Sequence, residues 1–230
     1  MSNIPENVVV VRQRVAAAAR RGGRDPAAVT IIAVTKTRTV DEVRQVLATG
    51  LTDLGENRVQ ELKEKWTALG GTAATWHVIG SLQTNKAKQA MEMASLVHSL
   101  DREALADEFA RVAERDGKLV DALVQVNVSG EGSKHGIAAA DLVGFLRRIS
   151  ERGQIRVHGL MTMAPLDADA EQSRPHFRRL RLLAAEAQRL ALPGIDLKHL
   201  SMGMSGDYEV AVEEGATLVR IGTAIFGARQ

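Results

Sequence analysis

Residues 31–38 read Ile-Ile-Ala-Val-Thr-Lys-Thr-Arg, and this stretch decides between two architectures. Its apolar, partly β-branched first half is typical of a buried strand. In a dinucleotide-binding open sheet, the glycine fingerprint Gly-x-Gly-x-x-Gly follows the first strand. Here the strand runs directly into Thr35 and Lys36 and the fingerprint is missing, which disfavours an open doubly wound sheet.

Seven more short apolar runs follow along the chain, and each is succeeded by an amphipathic stretch. The eight predicted strands are Val29–Thr35, Thr52–Leu54, Thr75–Ile79, Leu96–Leu100, Ala122–Val128, Arg156–Met161, Leu197–Ser201 and Thr217–Ile221. Alternating strand and helix patterns indicate parallel βαβ units covered by helices. Ile4–Arg21, which precedes them, has helical apolar spacing and stops at Gly22. We therefore predict one domain over residues 1–230, a single (β/α)8 TIM-type barrel with an additional N-terminal helix.

The composition excludes several classes of partner. The chain has 230 residues, of which 45% are hydrophobic, enough for one large buried core. Aromatic residues make up only 3%, and 30 basic residues face 28 acidic ones, so we expect no nucleic-acid partner. The densest basic run, Arg174–Arg181, has the pattern of a solvated helix face. Cysteine is absent, which excludes disulfides and thiolate chemistry.

The sequence also bears on location, metals and assembly. The first residues lack the basic and apolar regions of a signal peptide, and no stretch approaches the roughly 20 apolar residues of a membrane span. We expect a cytoplasmic protein without membrane contact. The six histidines are scattered without the spacing of a metal site, so no metal is expected. No surplus strand or long apolar helix indicates a dimer interface, and we expect a monomer.

Lys36 is the first candidate functional residue. Barrels carry their chemistry at the carboxyl ends of the strands, where Lys36 follows the first strand. Apolar surroundings disfavour the ammonium form and favour the free amine that attacks an aldehyde. The alternative is a lysine that merely extends from the strand end into solvent.

Two loops near the C-terminus suit a phosphate. Leu200–Gly206 closes the seventh predicted strand, and Val219–Thr223 closes the eighth. Barrels commonly bind phosphate with the loops after these two strands, where glycines let backbone N–H groups approach. Ser205, Gly222 and Thr223 supply the hydroxyls and the glycine, although either loop alone would pass for an ordinary turn.

These blocks, taken in order, resemble one family. The resemblance runs from about Arg12 to Gly227, and the following segments carry it: Ala33–Thr37, Gly55–Glu61, Trp76–Lys86, His158–Met161, Leu200–Ser205 and Val219–Gly227. The chain resembles the pyridoxal phosphate (PLP) homeostasis proteins, which are alanine-racemase N-terminal-domain-like. The resemblance implies a PLP-binding barrel that stores, buffers or transfers PLP to apo-enzymes, with no catalytic residue and no strong turnover.

The resemblance also implies roles for individual residues. It implies a Schiff base between PLP and Lys36, cofactor contacts from Asn57 and Met204, and Arg220 beside the pyridine nitrogen. Ser205, Gly222 and Thr223 would contact the phosphate. Lys134 is a secondary candidate for attachment.

The chain departs from the family pattern at four positions. Thr39 stands where a proline is common, Arg38 where a lysine is common, Gly206 where an aspartate is common, and His135 where a small residue is usual. The first two lie in the loop after Lys36, where they bear on its mobility. None removes a residue that the resemblance places against the cofactor.

Two enzymatic alternatives stay open at this point. A PLP-dependent amino-acid racemase on the same barrel needs a second base, for which Tyr208 is the only tyrosine, although helix packing is the more ordinary role for it. The sequence ends at Gln230, just past the eighth strand, and we expect no added β domain to supply that base. A sugar-phosphate isomerase would need a carboxylate base at a strand end, and Glu56 is the candidate.

Overall fold

The computed structural model describes residues 3–70, 74–130, 135–165 and 169–228. The strands in these ranges are β1 (Thr30–Val34), β2 (Asp53–Glu56), β3 (Thr75–Val78), β4 (Leu96–Leu100), β5 (Val120–Asn127), β6 (Ile137–Ala138), β7 (Ile155–Met161), β8 (Ile195–Ser201) and β9 (Leu218–Ile221). The α-helices are α1 (Ile4–Arg21), α2 (Val40–Ala48), α3 (Val59–Ala68), α4 (Ala87–Met93), α5 (Glu103–Asp116), α6 (Leu142–Ser150), α7 (Ala170–Gln188), α8 (Tyr208–Glu213) and α9 (Thr223–Phe226).

Eight of the strands close into a parallel barrel. β1 pairs with β2 on one side and with β9 on the other, and the pairing of β4 with β5 completes the ring. The predicted (β/α)8 barrel with an additional N-terminal helix is confirmed. β6, which the pattern did not predict, has two residues and pairs only with the end of β5, outside the ring. A strand that short leaves no periodic signal.

Apolar side chains fill both the inside of the barrel and the layer between strands and helices. Five buried residues from five different strands form a small separate cluster inside the ring: Ile32, Leu96, Leu123, Met161 and Leu218. The larger core packs the outer faces of the strands against the helices. The polar groups that could bind a ligand therefore lie at the ends of the barrel or among the polar side chains inside it.

The helix α1 begins and ends where its sequence pattern predicts. Its buried residues recur every three or four positions, as an amphipathic helix requires, and include Ile4, Val8, Val11 and Val15. This stripe packs against α2, α8 and α9. Among the described residues, no helix is long and apolar enough to cross a membrane.

The basic face of α7 is exposed, as its sequence predicts, and it also forms ion pairs with acidic residues of α7 and α8. Arg174 donates to Glu171 and Glu213, and Arg178 and Glu214 pair at 2.8 Å. The side chain of Glu214 is only 5% exposed, so these ion pairs lie against the protein and join α7 to α8. The exposed side chains of Arg178 and Arg181 agree with the predicted solvated face, and the ion pairs to Glu213 and Glu214 are what the sequence pattern did not show.

Candidate active site at the carboxyl ends of the strands

Four of the seven predicted site residues line one cavity. The cavity has a volume of about 320 Å³ and lies at the carboxyl ends of the strands, where Lys36, Asn57, Met204 and Arg220 face it. Ser205, Gly222 and Thr223 do not line this space. Ser205 follows Met204 directly, Gly222 and Thr223 lie two and three positions after Arg220, and Ser205 and Gly222 are joined by a hydrogen bond.

The turn that carries Lys36 is held from both sides. On one side, the amine of Lys65 donates to the carbonyl oxygen of Thr35 at 2.5 Å. On the other, the N–H of Thr37 donates to Glu61 Oε2 at 2.8 Å. Thr37 has a φ of 62°, a left-handed conformation that is unfavourable for a β-branched residue. Lys36 itself is half-buried.

A buried ion pair lies next to this turn. Lys65 Nζ and Thr35 Oγ1 each lie 2.6 Å from Glu56 Oε1, and Glu56 is fully buried. Its second oxygen, Oε2, has no partner among the described residues. Burial is the largest influence on this carboxyl and raises the pKa of Glu56, against the lowering effect of Lys65 and Thr35. Because Glu56 is fully buried and does not line the cavity, the isomerase alternative loses its base.

Arg38 and Thr39, the two departures from the family pattern after Lys36, both form stabilising contacts. Thr39 caps α2 by accepting the N–H of Glu42, whose carboxylate accepts the N–H of Thr39 in return. Arg38 Nη2 donates to the carbonyl oxygen of Gly227 at 2.8 Å, and its guanidinium stacks 5.2 Å above the ring of Phe226. The loop is thereby tied to the end of the chain.

Asn57 is positioned by a close backbone approach. A Cβ placed on Gly80 would lie 2.4 Å from the carbonyl oxygen of Asn57 and 2.8 Å from its Cα, so only glycine fits there. Asn57 follows β2 and Gly80 follows β3, two neighbours in the barrel. The glycine therefore brings the two loops into contact at the cavity.

The Ser205 hydroxyl lies at the start of α9. Its Oγ accepts the N–H groups of Gly222 and Ala224, both at 3.2 Å. The loop before it is held by Asp207, whose Oδ1 accepts the N–H of Met204 at 2.6 Å. Thr223, at the first position of α9, is exposed. A hydroxyl, backbone N–H groups and an exposed threonine thus meet where the two loops come together.

Arg220 is the cation of the cavity. It is 3% exposed, and its Nη1 and Nη2 donate to Ser201 Oγ at 2.5 Å and to the carbonyl oxygen of Thr162 at 2.9 Å. Burial lowers the pKa of Arg220 to about 10, which still leaves the guanidinium charged at neutral pH. The Asp207 carboxylate opposes this lowering in part, but among the described residues no carboxylate forms an ion pair with Arg220, whose hydrogen bonds go to two neutral oxygens.

Gln125 and His135 also line the cavity, and sequence reasoning did not place them there. Gln125 Nε2 donates to the carbonyl oxygen of His135 at 3.3 Å, while β6 pairs with the end of β5 just beyond. His135 was visible in the sequence only as a departure from the family pattern. Lys134, the secondary attachment candidate, lies outside the described residues.

The comparisons with known proteins agree with this arrangement. A family model described as "Alanine racemase, N-terminal domain" matches residues 4–230. A protein of Aquifex aeolicus named "Pyridoxal phosphate homeostasis protein" is 43% identical over 231 residues, which cover 99% of this chain and 99% of the relative. The chain belongs to the pyridoxal phosphate homeostasis protein family.

Solved structures extend the likeness. PipY of Synechococcus elongatus PCC7942, in a structure with PLP bound, is 37% identical and superposes with a TM-score of 0.85 over 98% of this chain and all of PipY. Alanine racemase of Streptomyces coelicolor A3(2) has a TM-score of 0.72 at 20% identity, with 96% of this chain and 58% of the racemase covered. At that identity the likeness to the racemase shows the fold alone.

Tyr208, the candidate second base of a racemase, is part of the core. It is 4% exposed and belongs to the main apolar cluster at the start of α8. It does not line the cavity that contains Lys36, which we call the lysine cavity. The packing role that the sequence favoured is confirmed.

Proposed function

We propose that this member of the PLP homeostasis protein family binds PLP in the lysine cavity, carries it as a Schiff base on Lys36, and stores, buffers or transfers it inside the cell. The observation that carries the proposal is the convergence of Lys36, Asn57, Met204 and Arg220 on one cavity. A relative 37% identical to this chain has a structure with PLP bound.

The residues present suit the chemistry of this cofactor. The amine of Lys36 would add to the aldehyde carbon, a C=N bond would form, and the carbonyl oxygen would leave as water. Arg220 has a charged guanidinium, suited to donate a hydrogen bond to an unprotonated ring nitrogen. Ser205, Gly222 and Thr223 would contact the phosphate, and because Ser205 Oγ accepts the N–H groups of Gly222 and Ala224, its own O–H is left to donate. Bound PLP supplies an electrophilic aldehyde and an electron-accepting ring.

Homeostasis fits the site better than turnover. A guanidinium beside the ring nitrogen opposes protonation of that nitrogen and so weakens the ring as an electron acceptor. The cavity contains no tyrosine, since Tyr208 is packed in the core. We therefore assign no catalytic residue. A kcat for alanine racemisation in the ordinary enzyme range, roughly 1 to 1,000 per second, would reverse this assignment.

The proposal extends to the cellular setting. We propose a cytoplasmic monomer that meets PLP-dependent apo-enzymes transiently. In the described part of the chain, the large exposed apolar side chains are few: Val9, Val10, Leu119, Met163, Leu182 and Leu190. Sedimentation of the PLP-loaded protein tests the monomer, and a sedimentation coefficient of a dimer would contradict it.

Attachment to Lys36 is tested by reduction and mass spectrometry. Wild-type protein mixed with PLP and reduced with borohydride should carry the pyridoxyl group on the peptide that contains Lys36. The Lys36→Ala variant should lose this adduct and the visible absorbance, whereas Lys86→Ala, a lysine outside the cavity, should keep both. An adduct found mainly on Lys86 or Lys134 would refute the assignment.

A further inference from the structure

A chain of hydrogen bonds crosses the inside of the barrel and ends at the lysine cavity. Arg220 Nη1 lies 2.5 Å from Ser201 Oγ, which lies 2.9 Å from His98 Nδ1. His98 Nε2 lies 3.0 Å from His77 Nδ1, and His77 Nε2 lies 3.1 Å from Asp53 Oδ1. The chain thereby joins β9, β8, β4, β3 and β2, on residues that the PLP-binding proposal does not use apart from Arg220.

The middle of this chain is sealed from solvent. His98 and Ser201 are fully buried, and His77 is 4% exposed. Buried polar groups of this kind are stable only when each finds a partner, so these side chains depend on one another. At the far end, Asp53 is partly exposed and lines a cleft of about 430 Å³ at the amino ends of β1 and β2.

The two ends set the direction of every hydrogen bond between them. A guanidinium only donates and a carboxylate only accepts. Ser201 Oγ therefore accepts a hydrogen bond from Arg220, and its own hydroxyl donates a hydrogen bond to His98 Nδ1. His98 then carries its proton on Nε2 and donates to His77 Nδ1, while His77 donates from Nε2 to Asp53.

The reverse direction is unfavourable with neutral rings. It would set the lone pair of His77 Nε2 against the Asp53 carboxylate, two acceptors 3.1 Å apart. Burial keeps the pKa of His98 well below its usual value, and His77, Arg220 and His199 add to this effect. We therefore assign His98 as a neutral ring that carries its proton on Nε2, and His77 as a ring that donates from Nε2 to Asp53.

We propose that Ser201, His98 and His77 are positioning residues that hold the Arg220 guanidinium toward the cofactor ring. With its proton committed to His98, Ser201 presents a fixed acceptor to Nη1, while the Thr162 carbonyl holds Nη2. Both Nη atoms of the Arg220 guanidinium are then fixed by hydrogen bonds. The orientation of the guanidinium thus depends on a series of hydrogen bonds that reaches the opposite end of the barrel. This inference rests on the proposed binding of PLP in the lysine cavity.

The direction of the hydrogen bonds between Arg220 and Asp53 is tested without PLP and without any variant. Nitrogen NMR of uniformly labelled wild-type protein at neutral pH should show protonated Nε2 and unprotonated Nδ1 for both His77 and His98. A proton on Nδ1 of His98 in the folded protein would overturn the proposal, because Ser201 would no longer be a committed donor.

The effect on the cofactor is tested with the full-length protein and PLP. Ser201→Ala should shift the absorption maximum of bound PLP and weaken its binding about tenfold, the effect of losing one hydrogen bond to a charged group. Ser201→Thr, which keeps the hydroxyl, should restore the wild-type absorption. His158→Asn is the matched control, since His158 also pairs with an aspartate, Asp121, but has no link to Arg220.

The outcomes separate this inference from the function on which it rests. If wild-type protein failed to bind PLP, the proposed function would fail while the NMR result still decided the direction of the chain. If wild-type protein bound PLP and Ser201→Ala matched it in absorption and affinity, the positioning role would be wrong and the proposed function would stand. Should Ser201→Ala not fold, the NMR measurement on the wild-type protein still decides, because a proton on Nδ1 of His98 would overturn the positioning role.

Discussion

Glu61 accepts the backbone N–H of Thr37 at 2.8 Å and thereby fixes the residue next to Lys36. Thr37 is in a left-handed conformation, with a φ of 62°, which costs of order 1 kcal/mol or more for a non-glycine residue. The hydrogen bond to a carboxylate offsets part of this cost. The turn that presents Lys36 is therefore held under strain by a side chain from α3.

The first prediction follows from this contact. Glu61→Ala should lower the free energy of unfolding by about 1 kcal/mol and weaken PLP binding, because the turn loses its anchor. Urea unfolding and PLP titration measure the two effects. Glu64→Ala, on the same helix and within the described residues bonded only to Gln60, should leave PLP affinity unchanged.

A second substitution distinguishes the backbone strain at Thr37 from the anchoring contact with Glu61. Thr37→Gly should recover part of the stability lost in Glu61→Ala, since glycine adopts this conformation without a steric penalty. No recovery in the double variant would mean that the Glu61 contact does not serve to hold a strained turn.

The second prediction concerns the buried pair of Lys65 and Glu56. Lys65→Met should destabilise the protein by roughly 3–5 kcal/mol, because it leaves a buried carboxylate without its cation. The additional change Glu56→Gln should restore part of this loss. Urea unfolding of the single and double variants measures both, and equal losses in the two would contradict the pairing.

The same carboxyl predicts a pH dependence. Burial raises the pKa of Glu56 above its usual 4.5, so the folded protein holds this proton more tightly than the unfolded chain. The Glu56 contribution therefore lowers stability as pH rises from about 4.5 through the raised folded pKa. Glu56→Gln removes this slope. If the free energies of unfolding of wild-type protein and Glu56→Gln changed in parallel over this pH range, the raised pKa of Glu56 would be excluded.

The third prediction tests the phosphate end of the site. Ser205→Ala and Thr223→Val should each weaken PLP binding by about 0.5–3 kcal/mol, the range for losing a hydrogen bond to a charged group. Pyridoxal, which lacks the phosphate, should bind poorly and be indifferent to both changes. Fluorescence titration with the two ligands makes the comparison, and equal sensitivity of both ligands would exclude a phosphate role.

The fourth prediction tests the contact between the loops that carry Asn57 and Gly80. Gly80→Ala should weaken PLP binding, because a Cβ only 2.4 Å from the Asn57 carbonyl oxygen forces this loop away from the cavity. Gly153→Ala is the control, since a Cβ there meets nothing within 4 Å. If PLP affinity were the same in both variants, Asn57 would not need its present position.

The sequence alone determined the architecture and the place of Lys36 at the end of the first strand. Apolar runs of strand length, each followed by a helical pattern, predict a parallel barrel, because these periods depend only on local backbone geometry. Strand ends of such a barrel converge at one rim, so Lys36, Asn57, Met204 and Arg220 could be expected near one another. All four line the same cavity.

Only the tertiary structure decided which polar side chains meet. His98 and Ser201 are 103 positions apart, and His135 reaches the cavity through a two-residue pairing with β5. Such contacts depend on the register of the strands and on closure of the ring, which no local pattern encodes. The sequence could name the lysine and the arginine of the site, but the hydrogen bonds that orient them exist only once the barrel has closed.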